Sequence, residues 1–157
     1  MRIYPIEDIP DKDLLYVRVY ASNINRVTKQ PKPESFRNTP YNSNSKSLSS
    51  DWNKYAVSLD YCRDNLAQSK PHNYHLFYFF EFNVGKLRTF EVLPQIVEHS
   101  PTNINRAHSS ITGEKETLTI NEAELDIGIR RIGEWAEIFT SEELIRKCEQ
   151  IKQLSKK

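Results

Sequence analysis

A chain of 157 residues with 38% hydrophobic and 27% charged side chains has the composition of one soluble globular domain, large enough to bury a core without metals or disulfides. Its 22 basic and 21 acidic residues leave a formal net charge of +1, which excludes the global basic field that announces nonspecific nucleic-acid binding. No apolar run approaches the ~20 residues needed to span a bilayer.

The N-terminal stretch MRIYPIEDIPDKD mixes acids with prolines and lacks the apolar core of a secretory signal, so the cytoplasm is the expected compartment. LLYVRVY, residues 14–20, is rich in β-branched and aromatic residues and reads as a strand. Period-two alternation puts Leu15, Val17 and Val19 on one face and Tyr16, Arg18 and Tyr20 on the other. An arginine flanked by tyrosines suits phosphate or carboxylate, and it equally suits the surface of a half-exposed sheet. From residue 21 to about 50, Asn, Ser, Pro, Lys and Thr dominate, and Pro31, Pro33 and Pro40 rule out a long helix. A loop of that length is functional or partly disordered, and here it is expected to act as a lid.

Ser58 is placed to cap a helix over residues 59 to about 68, with Leu59, Cys62, Arg63 and Leu66 at helical spacing. YHLFYFFEFNV, residues 74–84, is the strongest strand in the chain and is expected to be central. Gly85 and Lys86 then suggest a turn into LRTFEVL, making 74–93 a hairpin. A short strand at 95–98, a strand edge at 109–112 and a further strand at 116–120 follow. Asn121 is placed to cap a helix over 122 to about 131. Thr140 and Glu143 form a capping-box pattern ahead of a terminal helix marked by Leu144, Ile145, Cys148, Ile151 and Leu154. The expected architecture is a single α+β domain over residues 1–157, with a mainly antiparallel sheet and a C-terminal helix. Leu76, Phe79, Leu144, Ile145, Cys148 and Ile151 are its expected core.

The polar stretch HSPTNINRAHSSITG, residues 99–113, stands out between strand-like segments, the setting in which loops carry function. SLSSDWNKY, residues 47–55, is its candidate partner across a cleft. Histidine spacing does not favour a metal: His72 and His75 enter a strand, where three apart means opposite faces. HExxH, paired CxxC, calcium loops, phosphate-binding glycine loops and GxSxG are all absent, so neither metal nor cofactor is expected. Cys62 and Cys148 lack the paired spacing of a zinc or redox motif and are expected to be ordinary reduced thiols.

Metal-independent phosphodiester chemistry survives this screen. Cleavage through a 2′-hydroxyl needs a base, an acid and donors for the charge on phosphorus, roles that histidine, arginine and lysine fill near neutrality. His108 is the candidate acid or base and His99 its candidate partner, with Tyr55 or Ser109 as donors. Arg18, Lys54 and Arg106 are candidate phosphate ligands, and Trp52 is a candidate base-stacking ring. The partners expected are RNA or a small or cyclic oligonucleotide, with a second copy of the chain as a further candidate. A bland reading stands beside this one, in which Asn103, Asn105 and Ser109 build a tight turn and Trp52 packs in the core.

Two alternatives belong to other classes. ADP-ribosyl transfer would use Arg18, the serines at 47–50 and Glu81 or Glu116, in an order that is right but loosely spaced. A non-catalytic nucleotide- or protein-binding module would use Trp52 and Tyr55 as stacking or anchoring aromatics. The segments 48–55 and 99–113 together resemble small uncharacterised bacterial and mobile-element proteins with LSxDWxKY and HxPxxNxAHxxIxG-like segments, the likeness resting on Pro101, Asn105 and His108. The resemblance implies that the two segments belong together and implies no particular reaction.

Overall fold

The computed structural model describes residues 4–37, 47–69, 77–113 and 122–155. Strand β1 (Leu14–Tyr20) alternates as its sequence demands, with Leu15, Val17 and Val19 buried and Tyr16, Arg18 and Tyr20 half-buried. It lies inside one six-stranded sheet in the order β4-β5-β2-β1-β3-β6. The other strands are β2 (Leu48–Trp52), β3 (Phe77–Asn83), β4 (Gln95–His99), β5 (His108–Gly113) and the two-residue β6 (Glu134–Trp135). Every pairing in it is antiparallel. Among the described residues, four α-helices complete the α+β architecture: α1 (Leu59–Ser69), α2 (Val84–Arg88), α3 (Glu122–Arg131) and α4 (Ser141–Ser155).

Register decides what each face carries. Leu15, Val17 and Val19 stand opposite Phe82, Phe80 and Tyr78, and Val97 opposite Ile111, so these side chains share one face. Leu87, Leu125, Ile129, Leu144 and Cys148 from α2, α3 and α4 close over it as the main core. The opposite face is covered in part, where Cys62 of α1 packs with Phe79, Ala56 and Ala107. Gly133 precedes β6 because only a hydrogen fits there: a Cβ would lie 2.3 Å from Cε1 of Phe80 and 2.7 Å from Cε1 of Phe82.

The helix ends follow local chemistry. Ser58 caps α1 by accepting the Tyr61 N–H at 3.1 Å. The capping box of α4 is reciprocal, Thr140 N–H donating to Glu143 at 2.9 Å and Glu143 N–H to the Thr140 hydroxyl at 3.2 Å.

Several expectations are corrected. Residues 74–93 are not a hairpin. Asn83 accepts the Lys86 N–H at 3.0 Å and starts α2, so Val84 and Leu87 follow helical rather than strand spacing into the core. The strand expected at 95–98 forms, extends to His99 and pairs with β5. That pairing puts β5 between β4 and β2, so 109–112 is not a sheet edge. The span 21–50 is not one structureless loop either: Ala21–Asn23 and Pro33–Phe36 are 3-10 turns, Phe36 is fully buried against Phe80 and Phe82, and β2 begins at Leu48. Ile145 is 44% exposed, because the buried stripe of α4 runs through Leu144 and Cys148 one position round the helix. The strand at 116–120, the Asn121 cap, Leu76, His72 and His75 lie outside the described residues, as do residues 38–46 of the expected lid.

The α4 stripe sets a paired test. Leu144 is fully buried, and burying a leucine is worth roughly 1.5–3 kcal/mol before the penalty for burying a charge. Leu144→Asp is expected to abolish the cooperative thermal transition, while Ile145→Asp melts within a few degrees of the parent. Equal effects from the two would mean that α4 docks through another face.

Candidate functional site

The stretches 48–55 and 99–113 meet as neighbouring strands. β2 and β5 pair from Leu48 opposite Ile111 to Asp51 opposite His108. Trp52 N–H continues the contact to the Ala107 carbonyl at 2.8 Å, and the Ser50 hydroxyl donates to the Ser109 carbonyl at 3.1 Å. At the centre is Asp51, fully buried, whose Oδ1 accepts from the Asn105 side-chain amide at 2.7 Å. Asn105 organises the turn between β4 and β5. Its Oδ1 accepts the Ala107 N–H at 3.0 Å, its own N–H donates to the Thr102 hydroxyl at 3.0 Å, and its carbonyl accepts the Thr102 N–H at 3.0 Å. The Nε of Arg18 stands 3.6 Å from the second Asp51 oxygen. Cys62 lies against the same carboxylate. Burial, and then the Asp51 charge, push its thiol far above the ordinary cysteine range, so it is a poor nucleophile.

Alternation along β2 and β5 sends the nominated residues to opposite faces, so the single cleft expected between the two segments does not form. On the side away from the main core, His108, Ser110 and Thr112 stand beside Ser49 and Asp51. His108 Nδ1 is 2.8 Å from the Ser100 carbonyl, which can only accept, so this nitrogen carries the proton. Nε2, the other ring nitrogen, faces the exposed Ser49 hydroxyl at 3.4 Å. The Ser100 and Ser110 hydroxyls are 2.8 Å apart alongside.

Three nominated residues point the other way. Trp52 is 1% exposed, its ring lies edge-on to His99, and its indole N–H donates to Asp13 at 2.8 Å, so it has no free face on which to stack a base. Ser109 is fully buried and donates to the Ala107 carbonyl at 3.0 Å. His99 is buried with both ring nitrogens engaged by main chain: Nδ1 accepts the Glu7 N–H at 3.0 Å and Nε2 donates to the Arg106 carbonyl at 2.6 Å. It ties the N-terminal segment to the β4–β5 turn and does not face His108.

Lys54, Tyr55 and Arg106 form a third neighbourhood around Glu7. Lys54 Nζ is 2.6 Å from one Glu7 oxygen, the Tyr55 hydroxyl donates to the other, and Arg106 stands 3.9 Å from that second oxygen. The donors Lys54 and then Tyr55 hold the Glu7 carboxyl below the usual carboxylate range, and Glu7 in return raises Lys54. The Arg106 guanidinium also lies over the Tyr55 ring at 4.2 Å. Sequence reading missed Glu7, which is 92 residues from the His99 ring it meets and carries no local signal. It also passed over Ser100 and Ser110, and it took Ser49 only as one of the serines at 47–50 in the ADP-ribosyl reading. Counting two residues on from His108 would have placed Ser110 on its face.

Among the described residues, no three histidines, cysteines and carboxylates converge as a metal-ligand group. Among them, too, no helix is long and apolar enough to cross a membrane. No protein-family model, curated protein or solved structure matches the chain.

The buried Asp51 generates a stability prediction. Asp51→Ala leaves Asn105 without its acceptor and Arg18 without its counter-ion, so the unfolding free energy should fall by about 3 kcal/mol in urea titration. Ser49→Ala, on the exposed face of the same strand, should change it by no more than about 0.5 kcal/mol. A neutral Asp51→Ala would remove Asp51 as the organising residue.

Proposed function

We propose that the face bearing His108, Ser49 and Arg18 carries out metal-independent cleavage of a phosphodiester in RNA or a small or cyclic oligonucleotide. The observation that supports this reading is the placement of His108, whose Nδ1 is held by the Ser100 carbonyl and whose Nε2 faces a hydroxyl on the side of the sheet away from the main core. A neutral imidazole oriented by a carbonyl is a ready general base, and a substrate 2′-hydroxyl could take the place beside Nε2 that Ser49 borders. Arg18 is on the same face. Tyr16 pairs with Asp51, so the residues two further along each strand, Arg18 and Ser49, share that side of the sheet. Its guanidinium turns Nε toward Asp51, and the rest of its fork suits phosphate oxygens.

A second reading rests on that same placement. An arginine on β1 and a serine on β2, with Glu81 directly across from Tyr16, are the residue types an NAD-using ADP-ribosyl transferase needs. Burial, and then the facing Glu134, push the Glu81 carboxyl above the usual carboxylate range. A third reading, a nucleotide-binding module, uses the same face without turnover.

One assay separates these. The protein is incubated with linear and cyclic oligoribonucleotides in EDTA, and separately with NAD and a protein or RNA acceptor. The phosphodiesterase reading expects cleavage in EDTA that falls on the order of 10²–10⁴-fold in His108→Ala. Ser49→Ala should cost less than about tenfold, since the attacking oxygen then belongs to the substrate. A Ser49→Ala defect as deep as that of His108→Ala would make the serine the nucleophile. NAD consumption would establish the transferase, and undiminished cleavage in His108→Ala would remove His108 from the chemistry.

A further inference from the structure

The N-terminal segment crosses the sheet end at which Lys54, Tyr55 and Arg106 gather, and it places one anion among them. Ile9 anchors the segment at 3% exposure, while Ile6, three residues earlier, is 56% exposed. A hollow of about 330 Å³ lies beside residues 6–9, bordered by Arg88, Val97 and Glu98. The segment is thus fixed at Ile9 and at the Glu7 main chain, whose N–H donates to His99, while the hollow beside it borders the Glu7 residue.

Glu7 is an incomplete match for what surrounds it. Two cationic side chains and a phenol converge on one carboxylate, which leaves the cluster with net positive charge. One oxygen serves Lys54. The other takes the Tyr55 hydroxyl and leaves Arg106 at 3.9 Å, beyond hydrogen-bond reach, while the buried Nε of Arg106 has no hydrogen-bond partner. A phosphate brings three terminal oxygens and a charge of about −1.5 to −2, one oxygen for each donor and charge enough for both cations. The aromatic ring beneath the guanidinium holds it in place for such a ligand, Arg106 lying 4.2 Å above Tyr55.

We propose that Lys54, Tyr55 and Arg106 form a phosphate-binding subsite, and that Glu7 is a built-in competing anion which an incoming phosphate group displaces. The subsite is separate from the His108 face and does not depend on the reaction proposed there. Because Glu7 is tethered, it competes at high effective concentration and masks most of the intrinsic affinity. Apparent affinity is reduced by the fraction of molecules in which the donors are free, so removing the Glu7 charge should uncover it.

The test is a titration of the full chain with inorganic phosphate, followed by ¹H–¹⁵N NMR at the amides of residues 7, 54, 55 and 106. Glu7→Gln is expected to bind phosphate at least about tenfold more tightly than the parent. Adding Arg106→Gln to it should lose at least that factor. Equal affinity in parent and Glu7→Gln, or a gain that survives Arg106→Gln, would overturn the subsite. Should Glu7→Gln melt well below the parent, the parent itself decides: saturating phosphate must shift the residue 7 and residue 55 amides together, and a saturating titration that leaves them in place rejects the proposal. Phosphate binding that fails while His108-dependent cleavage persists would reject the subsite alone.

Discussion

A carboxylate sealed inside a protein must be met by donors or it unfolds its surroundings, and Asp51 is met at Oδ1 by a residue more than fifty positions away, with the Arg18 guanidinium 3.6 Å from Oδ2. Its 2.7 Å bond from Asn105 joins the last turn of β2 to the loop before β5. Asn105 in turn spends its oxygen on the Ala107 N–H, so one amide both holds the aspartate and shapes the turn. Everything near the candidate site inherits its position from this bond. Asp51 fixes the pairing that sets His108 opposite it, and Trp52, next along β2, is thereby sent into the core.

The sheet separates chemistry from packing by the width of one residue. On β5, His108 and Ser110 face one way while Ser109 and Ile111 face the other. A one-residue slip of β5 against β2 would bury the imidazole and expose Ile111. The buried Ser50 guards against it, because its hydroxyl donates across the strand pair to the Ser109 carbonyl, a bond that the observed register provides. This residue contributes to the site through alignment rather than through contact with a ligand.

Much of this was legible in the sequence where periodicity is strong and local. The alternation of β1, the Ser58 cap, the capping box at Thr140 and the α+β class follow from near neighbours along the chain. The hairpin at 74–93 failed because Gly85 reads as a turn residue, whereas the Asn83 cap and the core positions of Val84 and Leu87 make it part of a helix. The polar segments 48–55 and 99–113 were recognised as partners, but residue type alone could not say which side chains face outward. Trp52 and His99 look as reactive in a string of letters as His108 does. Only the pairing of β2 with β5 shows that two of them are structural, and Glu7 enters the picture solely through the path of the folded chain.

The order of the strands in space also bears on how the molecule is made. β1 is synthesised before every other strand, yet it ends up between β2 and β3, with both hydrogen-bonding edges occupied. One of those edges stays open until Phe77–Asn83 leaves the ribosome, and the core face of β1 waits longer still, for Leu144 and Cys148 of α4. A growing chain therefore carries an apolar, β-prone segment whose native contacts are incomplete until α4 has been made. Arg18, in the middle of that segment, puts a charge where strand would otherwise meet strand between nascent chains. The residue that reaches Asp51 in the finished sheet is thus also the single charge in an otherwise apolar and aromatic segment before the sheet exists.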